Sequence, residues 1–328
     1  MQSVISTALI GCAGYTGQEL LDRVLAHPEL ELAALGSDSL AGEPAAALDP
    51  RLTGAELPSF APNDDALAAG AELVFLCLSH EEAARIAPPP DAVVVDLSGA
   101  HRLRDAALYA EWYGFEHPGE LDGWRYALPE LFPPDGVRLI ANPGCYATAA
   151  LLALAPIAEA IAPDSVVVDA KSGVSGAGRG LKPSSHAGFV LENLSAYRVG
   201  THQHAPEIAQ ALGFPVTFAP HLLPVRRGLL ATCYVDAHDD VRTLLADAYS
   251  GSHVVRLLDD EVVPELARVQ GTDAAELAVF EDRSTGRTIV VCAIDNLGKG
   301  AAGQAVQNAN LALGLDETLG LRLHGVLV

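Results

Sequence analysis

The chain has 328 residues, 50% of them hydrophobic and 19% charged, which is long enough for two domains and too apolar for disorder. Its 20 Lys and Arg face 42 Asp and Glu, a net charge of -22 at pH 7 that would repel a phosphate backbone, so no nucleic-acid partner is expected. No run approaches the roughly 20 apolar residues of a spanning helix. The N-terminus also has no basic signal region, so a soluble cytoplasmic protein without a membrane partner is expected.

Strands are expected near residues 4–10, 30–35, 73–78, 93–97 and 138–141, alternating with helical patterns, which is the rhythm of a parallel α/β sheet. Between the first two strands, Leu20, Leu21, Val24 and Leu25 share one helical face; Gly17 opens this helix and His27-Pro28 marks its end. A further helix follows Cys145, with Pro156 as a kink or stop. Beyond it the strand candidates lengthen (165–169, 216–219, 229–236 and 288–294), and a helix rich in small residues is expected over 299–313. These features describe an α/β chain with two parts. The parallel α/β sheet belongs to the first half, and after Cys145 a second, α+β domain with a mixed or antiparallel sheet is expected.

The run Gly11-Cys12-Ala13-Gly14-Tyr15-Thr16-Gly17 follows the first strand and opens the first helix, where glycines let backbone amides approach a pyrophosphate. After the second strand come Ser37-Asp38-Ser39. The serines could donate to a 2′-phosphate and Asp38 would favour a free ribose, so NADP and NAD both stay open. Cys12, Cys77, Cys233 and Cys292 sit in or at the ends of apolar strands, as core thiols do. Cys145 stands apart in the turn Asn142-Pro143-Gly144-Cys145, at a helix N-terminus whose dipole favours the thiolate. A nucleophilic thiol needs a proton shuttle, and His202 and His204 are candidates. Zinc on His202, His204 and His221 is possible by residue type, but no matching Cys or acidic spacing accompanies it, so no metal is expected. In so acidic a chain, basic points are informative: Lys171, Arg179 and Lys182 around the Gly- and Ser-rich run 172–178, Arg102 after 96–101, and Arg226-Arg227.

Together these residues resemble the N-acetyl-γ-glutamyl-phosphate reductase family, relatives of aspartate-semialdehyde dehydrogenase, nearly end to end. The carriers are GCAGYTG at 11–17, DLSGAHRL at 96–103, ALPEL at 127–131, NPGCYATAALLAL at 142–154, KSGVSGAGR at 171–179, HQHAPEI at 202–208, HLLPVRRGLLAT at 221–232 and DNLGKGAAGQAVQNANLALGLDETLGL at 295–321. The resemblance implies that Gly11, Ala13, Gly14, Tyr15, Thr16 and Gly17 hold NADP, with Ser37 beside its ribose and Ser172, Gly173, Gly176 and Asn296 near the nicotinamide. It implies Cys145 as nucleophile, His202 or His204 as acid/base, and Arg102, Ser98, Asn142, Lys171 and Arg179 around a small acyl phosphate substrate, in a homodimer or homotetramer. The implied fold is a Rossmann-type parallel sheet domain (1–145 and 297–328) with an α+β catalytic and oligomerisation domain (146–296) between its two segments. Two motifs depart from the family. Ala100-His101-Arg102 stands where an aromatic residue precedes the arginine, and His202-Gln203-His204 replaces His-Arg-His.

The implied reaction is reduction of N-acetyl-γ-glutamyl phosphate to its semialdehyde through a cysteine thioester, in arginine biosynthesis. A lysine-pathway reductase acting on a carrier-linked aminoadipyl phosphate would share this chemistry, but an acidic carrier calls for a basic approach surface that this chain has little charge to build. A dinucleotide-binding regulatory protein would need no exposed thiol at a helix N-terminus.

Overall fold

The computed structural model describes residues 4–119, 121–134, 136–180 and 186–325. The chain divides into two compact units, Met1–Pro143 with Ala301–Leu321, and Gly144–Gly300 with Arg322–Val328.

The first unit is built on seven strands: β1 (Ile5–Ile10), β2 (Leu30–Gly36), β3 (Phe60–Ala61), β4 (Leu73–Leu76), β5 (Val93–Asp96), β6 (Trp124–Tyr126) and β7 (Leu139–Ala141). Every pairing is parallel, in the order β3-β2-β1-β4-β5-β7-β6, so the direction of winding reverses between β1 and β4. Strand alternation divides the core in two. Leu9, Phe75 and Val95 point to the side holding Leu20, Leu21 and Val24 of helix α1 (Tyr15–Ala26), while Ala8, Ile10, Val74 and Leu76 line the other side. Short helices α2 (Asn63–Leu67), α3 (His80–Ala83) and α4 (Leu108–Trp112) fill the crossovers.

The second unit opens with α5 (Cys145–Leu154), whose residues from Tyr146 onward are all buried. Its sheet has the order β12-β13-β14-β11-β8-β10-β9, with β8 (Val167–Gly173), β9 (Ser195–Ala196), β10 (Thr217–Leu223), β11 (Leu229–Val235), β12 (Val255–Leu257), β13 (Ala275–Glu281) and β14 (Thr288–Ile294). β8 pairs parallel with β10 and antiparallel with β11, so the expected mixed sheet is present. α5 packs on β11, β14 and a neighbouring helix, α7 (His204–Leu212); α6 (Ala187–Val190), α8 (Val241–Ala248) and α9 (Leu266–Val269) complete the unit.

Several boundaries differ from the sequence expectation, among them the end of β10 at Leu223 in place of residue 219, and two bear on the site. β8 does not stop at residue 169, because its pairing with β10 and β11 continues through Ser172 and turns part of the expected glycine loop into strand. The helix expected from Lys299 begins instead as a wide π-turn, Gly298–Ala302, before α10 (Gly303–Ala312). A Cβ on Gly298 would lie 1.9 Å from the Thr272 carbonyl oxygen, and Gly300 N–H reaches back five residues to Asp295, so close backbone approach sets the wider turn.

Candidate active site

In the first unit the strand-to-helix turn after β1 has the shape the glycines suggested. Gly11 adopts φ +72° and its N–H donates to Asn63 Oδ1 at 3.0 Å. Gly14 is the N-cap of α1 with no side-chain cap, and a Cβ there would meet nothing within 4 Å. The first turn carries no acidic residue. The uncrowded backbone at Gly14 and the helix dipole fit the pyrophosphate of a dinucleotide, with Ala13, Tyr15 and Thr16 on the same turn, at least partly exposed. Ser37 Oγ lies 3.2 Å from Ser39 Oγ, and Asp38 Oδ1 accepts the Asn63 N–H at 2.9 Å.

Ser98, Arg102 and Asn142 also come together in this unit, tied into the backbone. Ser98 donates to Asp96 and accepts the Ala100 N–H. Buried Arg102 donates from Nε to the Asn142 carbonyl at 2.8 Å and from Nη2 to the Leu97 carbonyl at 2.9 Å. Asn142 accepts from Asn308 of α10 at 3.0 Å. His101 fills the slot where the family carries an aromatic residue: it stacks on Trp124 at 3.7 Å, and Nδ1 lies 2.7 Å from Asp96 Oδ2.

The thiol belongs to the second unit. Cys145 is the first residue of α5, half-buried, with no acidic residue in that first turn to oppose a thiolate. Burial pushes the Tyr197 phenol up to about 12 and also raises the Tyr146 phenol; the Cys145 sulfur is charge-coupled to both. Their hydroxyls are 3.2 Å apart, and Tyr146 donates to the His221 carbonyl at 3.0 Å. The Tyr146 ring meets His202 edge-on at 5.5 Å and His204 at 5.9 Å, and the two imidazoles are 4.7 Å apart. Thiol, phenols and imidazoles thus form one cluster.

The two histidines are not equivalent. His204 begins α7, while His202 lies in the preceding turn, where its Nδ1 accepts the His204 backbone N–H at 3.1 Å. That assignment puts the proton of a neutral His202 on Nε2 and leaves its other lone pair engaged. Burial, aided by the Arg198 guanidinium, pushes His202 down to about 4, so it is neutral at physiological pH. Arg198 also donates to Gln203, the residue standing where the family carries its central arginine.

Other expected residues are arranged differently. Strand alternation places Lys171 on the face of β8 opposite Val168, Ala170 and Ser172, where it pairs with Asp169 beside His221. Ser172, in contrast, is buried on the other face. Asn296 accepts the Gly228 N–H at 2.7 Å and donates to Ser175 at 2.9 Å, which braces the turn containing Gly173 and Gly176. Arg179 is exposed at the end of that turn, and Lys182 lies outside the described residues. Among the described residues no group of three or more His, Cys, Asp or Glu is placed to hold a metal ion, and no helix is long and apolar enough to cross a membrane.

The profile "Semialdehyde dehydrogenase, NAD binding domain" matches residues 6–137, and "Semialdehyde dehydrogenase, dimerisation domain" matches 145–296. An N-acetyl-gamma-glutamyl-phosphate reductase from Acidothermus cellulolyticus is 48% identical, covering 97% of this chain and 98% of its own. The chain belongs to the N-acetyl-γ-glutamyl-phosphate reductase family. A probable chloroplastic member from Arabidopsis thaliana is 40% identical over 98% of this chain and 84% of its own. Among solved structures, aspartate semialdehyde dehydrogenase II from Vibrio cholerae superposes with a TM-score of 0.73 at 18% identity, covering 96% of this chain and 99% of that one. The NADP complex of aspartate semialdehyde dehydrogenase from Candida albicans gives 0.64 at 17% identity, covering 94% and 98%.

For a family member, two contacts around the thiol stand out that the sequence reading did not single out. Glu207 of α7 binds the turn before Cys145, and its signal was an acid one helical turn beyond His204. Gly300 lies so close that a Cβ there would sit 2.8 Å from Cys145 Cβ and 3.1 Å from the Asp295 carbonyl oxygen. Gly300→Ala should displace the thiol and lower turnover about 100-fold. Steady-state kinetics with a thermal melt check this: wild-type turnover in a folded variant would show that the contact is relieved at no cost to the thiol.

Proposed function

We propose that the chain catalyses the NADPH-dependent reductive dephosphorylation of N-acetyl-γ-glutamyl phosphate to N-acetylglutamate 5-semialdehyde, a step of arginine biosynthesis, in the cytoplasm. The observation that carries this reading is the Cys145 thiol at the start of α5, clustered with His202, His204 and two phenols, in a chain 48% identical to a protein named for this reaction.

The Cys145 thiol gives its proton to His204, and the thiolate adds to the acyl phosphate carbonyl carbon. The carbon–oxygen bond to phosphate breaks, inorganic phosphate leaves, and a thioester remains on Cys145. NADPH, when bound, supplies a hydride to the thioester carbonyl carbon. His204 protonates the alkoxide left after hydride addition, which gives a thiohemiacetal on Cys145, and takes the proton back as the carbon–sulfur bond breaks, freeing the aldehyde and regenerating the thiolate. His204 is assigned this exchange because the Nδ1 lone pair of His202 is engaged by the His204 N–H. His202 serves as a neutral Nε2–H donor toward the substrate.

Substrate phosphate and carboxylate need local positive charge in so acidic a protein. Arg179 is proposed as one such contact, with Arg102, Ser98 and Asn142 shaping the first unit's strand ends. The position of Lys171, on the opposite face of β8 from Ser172, supports a structural role for it. NADP is preferred over NAD because Asp38 is drawn to the Asn63 amide, leaving the Ser37 and Ser39 hydroxyls as donors for a 2′-phosphate. Gly173, Gly176 and, through its brace, Asn296 are proposed to border the nicotinamide. The matched dimerisation profile supports a homodimer or homotetramer.

The reverse reaction tests this reading. With N-acetylglutamate semialdehyde, NADP should be reduced only when phosphate is present, and faster than NAD. Turnover confined to a carrier-linked aminoadipyl substrate would contradict it.

A further inference from the structure

Asn63 opens the short helix α2, two residues after β3, and belongs neither to the glycine motif nor to the serines after β2. Its side chain and its backbone nevertheless bond in two directions. Oδ1 accepts the Gly11 N–H at 3.0 Å, in the turn where Gly11 holds φ +72°, and it lies so near the end of β2 that a Cβ on Gly36 would sit 3.1 Å away. The backbone N–H donates to Asp38 Oδ1 at 2.9 Å. One residue thus ties the β1–α1 turn to the loop after β2.

In a sheet wound this way, the first of these loops faces a dinucleotide's pyrophosphate and the second its adenosine ribose. An acid in the second loop accepts from a free 2′-hydroxyl and repels a 2′-phosphate, so an available carboxylate there selects NAD. Asp38 is exposed, and no Lys or Arg occurs between Arg23 and Arg51 to offset its charge. What distinguishes this loop is that the Asp38 carboxylate is already engaged by the Asn63 amide.

We infer that Asn63 is a positioning residue that sets the cofactor preference: its side chain holds the pyrophosphate turn for either dinucleotide, and its backbone N–H keeps the Asp38 carboxylate occupied, so that a 2′-phosphate is accepted. This deepens the proposed use of NADP and rests on it.

The two bonds can be removed separately. Asn63→Ala loses the side-chain acceptor and keeps the N–H; Asn63→Pro loses both. Proline suits the first position of a helix, and Pro62 before it already has the extended φ −50°, ψ 148° that a following proline requires. Isothermal titration of the full chain with NADP and with NAD reads the result without turnover, beside a thermal melt. Asn63→Ala should weaken both cofactors about tenfold and equally, leaving the ratio of their Kd values as in wild type. Asn63→Pro should weaken NADP about tenfold further relative to NAD, and adding Asp38→Ala to it should restore the wild-type ratio. Asp38→Glu, a change at an exposed side chain that overreaches the Asn63 amide by one methylene, should move the ratio in the same direction as Asn63→Pro. A ratio unmoved in both Asn63→Pro and Asp38→Glu, a shift in Asn63→Pro that persists without Asp38, or wild-type affinity in Asn63→Ala would overturn the inference. A wild type that binds NAD more tightly than NADP would refute the proposed cofactor instead, and the change in ratio on releasing Asp38 would still decide the role of Asn63.

Discussion

Cys145→Ser should reduce turnover of the acyl phosphate by about 10⁴-fold or more while leaving dinucleotide binding and thermal stability close to wild type. The physical reason is local. Serine preserves the shape of the first α5 residue, but its hydroxyl is far less acidic than a thiol, and the helix N-terminus cannot close that gap. The other four cysteines do not substitute. Burial pushes Cys12 and Cys233 up to about 12 and raises Cys77 and Cys292 as well, so they stay protonated and inert. In the wild type, iodoacetamide should label Cys145 first. A Ser variant within tenfold of wild-type turnover, or faster labelling at another cysteine, would contradict the assignment of the nucleophile.

Gly17→Ala should abolish measurable dinucleotide binding and destabilise the first unit by about 3 kcal/mol. A Cβ at this position would lie 2.2 Å from the Cys12 carbonyl oxygen and 2.4 Å from Cys12 Cα. Both are backbone atoms, so relief requires moving the turn itself and not a flexible side chain. The amides of that turn are the ones proposed to face the pyrophosphate. Cys145, in the second unit, should keep its alkylation rate in this variant. Titration of NADP binding by fluorescence, beside a thermal melt, checks both effects; retained affinity at wild-type stability would show that the turn tolerates a side chain.

Elements whose stability is local were readable from the sequence. α1 announces itself through the spacing of Leu20, Leu21 and Val24, and the central strands of the parallel sheet through short apolar runs between turn residues. β13 was not, because Ala-Glu-Leu-Ala-Val-Phe-Glu has the composition of a helix and becomes a strand only between β12 and β14. The same non-local pairing decides which face Lys171 occupies. Taken as part of a loop, it could face the substrate; once β8 continues to Gly173, alternation turns it away from Ser172.

Candidate groups were legible where a residue type suggests them alone, as for Cys145 and the His202/His204 pair. Roles set by partners were not. The tautomer of His202 depends on the His204 amide, and Ser98, Arg102 and Asn142 hydrogen-bond to backbone groups of Ala100, Leu97, Asn142 and Ala301 that the fold brings near. Gly300 gave no signal, because its requirement for hydrogen comes from Cys145, far away in sequence.

The most direct test of the central claim is to mix the protein with N-acetyl-γ-glutamyl phosphate in the absence of reduced cofactor, quench in acid, and measure the mass of the Cys145 peptide. One N-acetylglutamyl group on Cys145, absent from Cys145→Ser and discharged as semialdehyde when NADPH is added, is the predicted result. Full turnover with NADPH but no adduct on Cys145, or an adduct that persists in the Ser variant, would contradict a thioester mechanism.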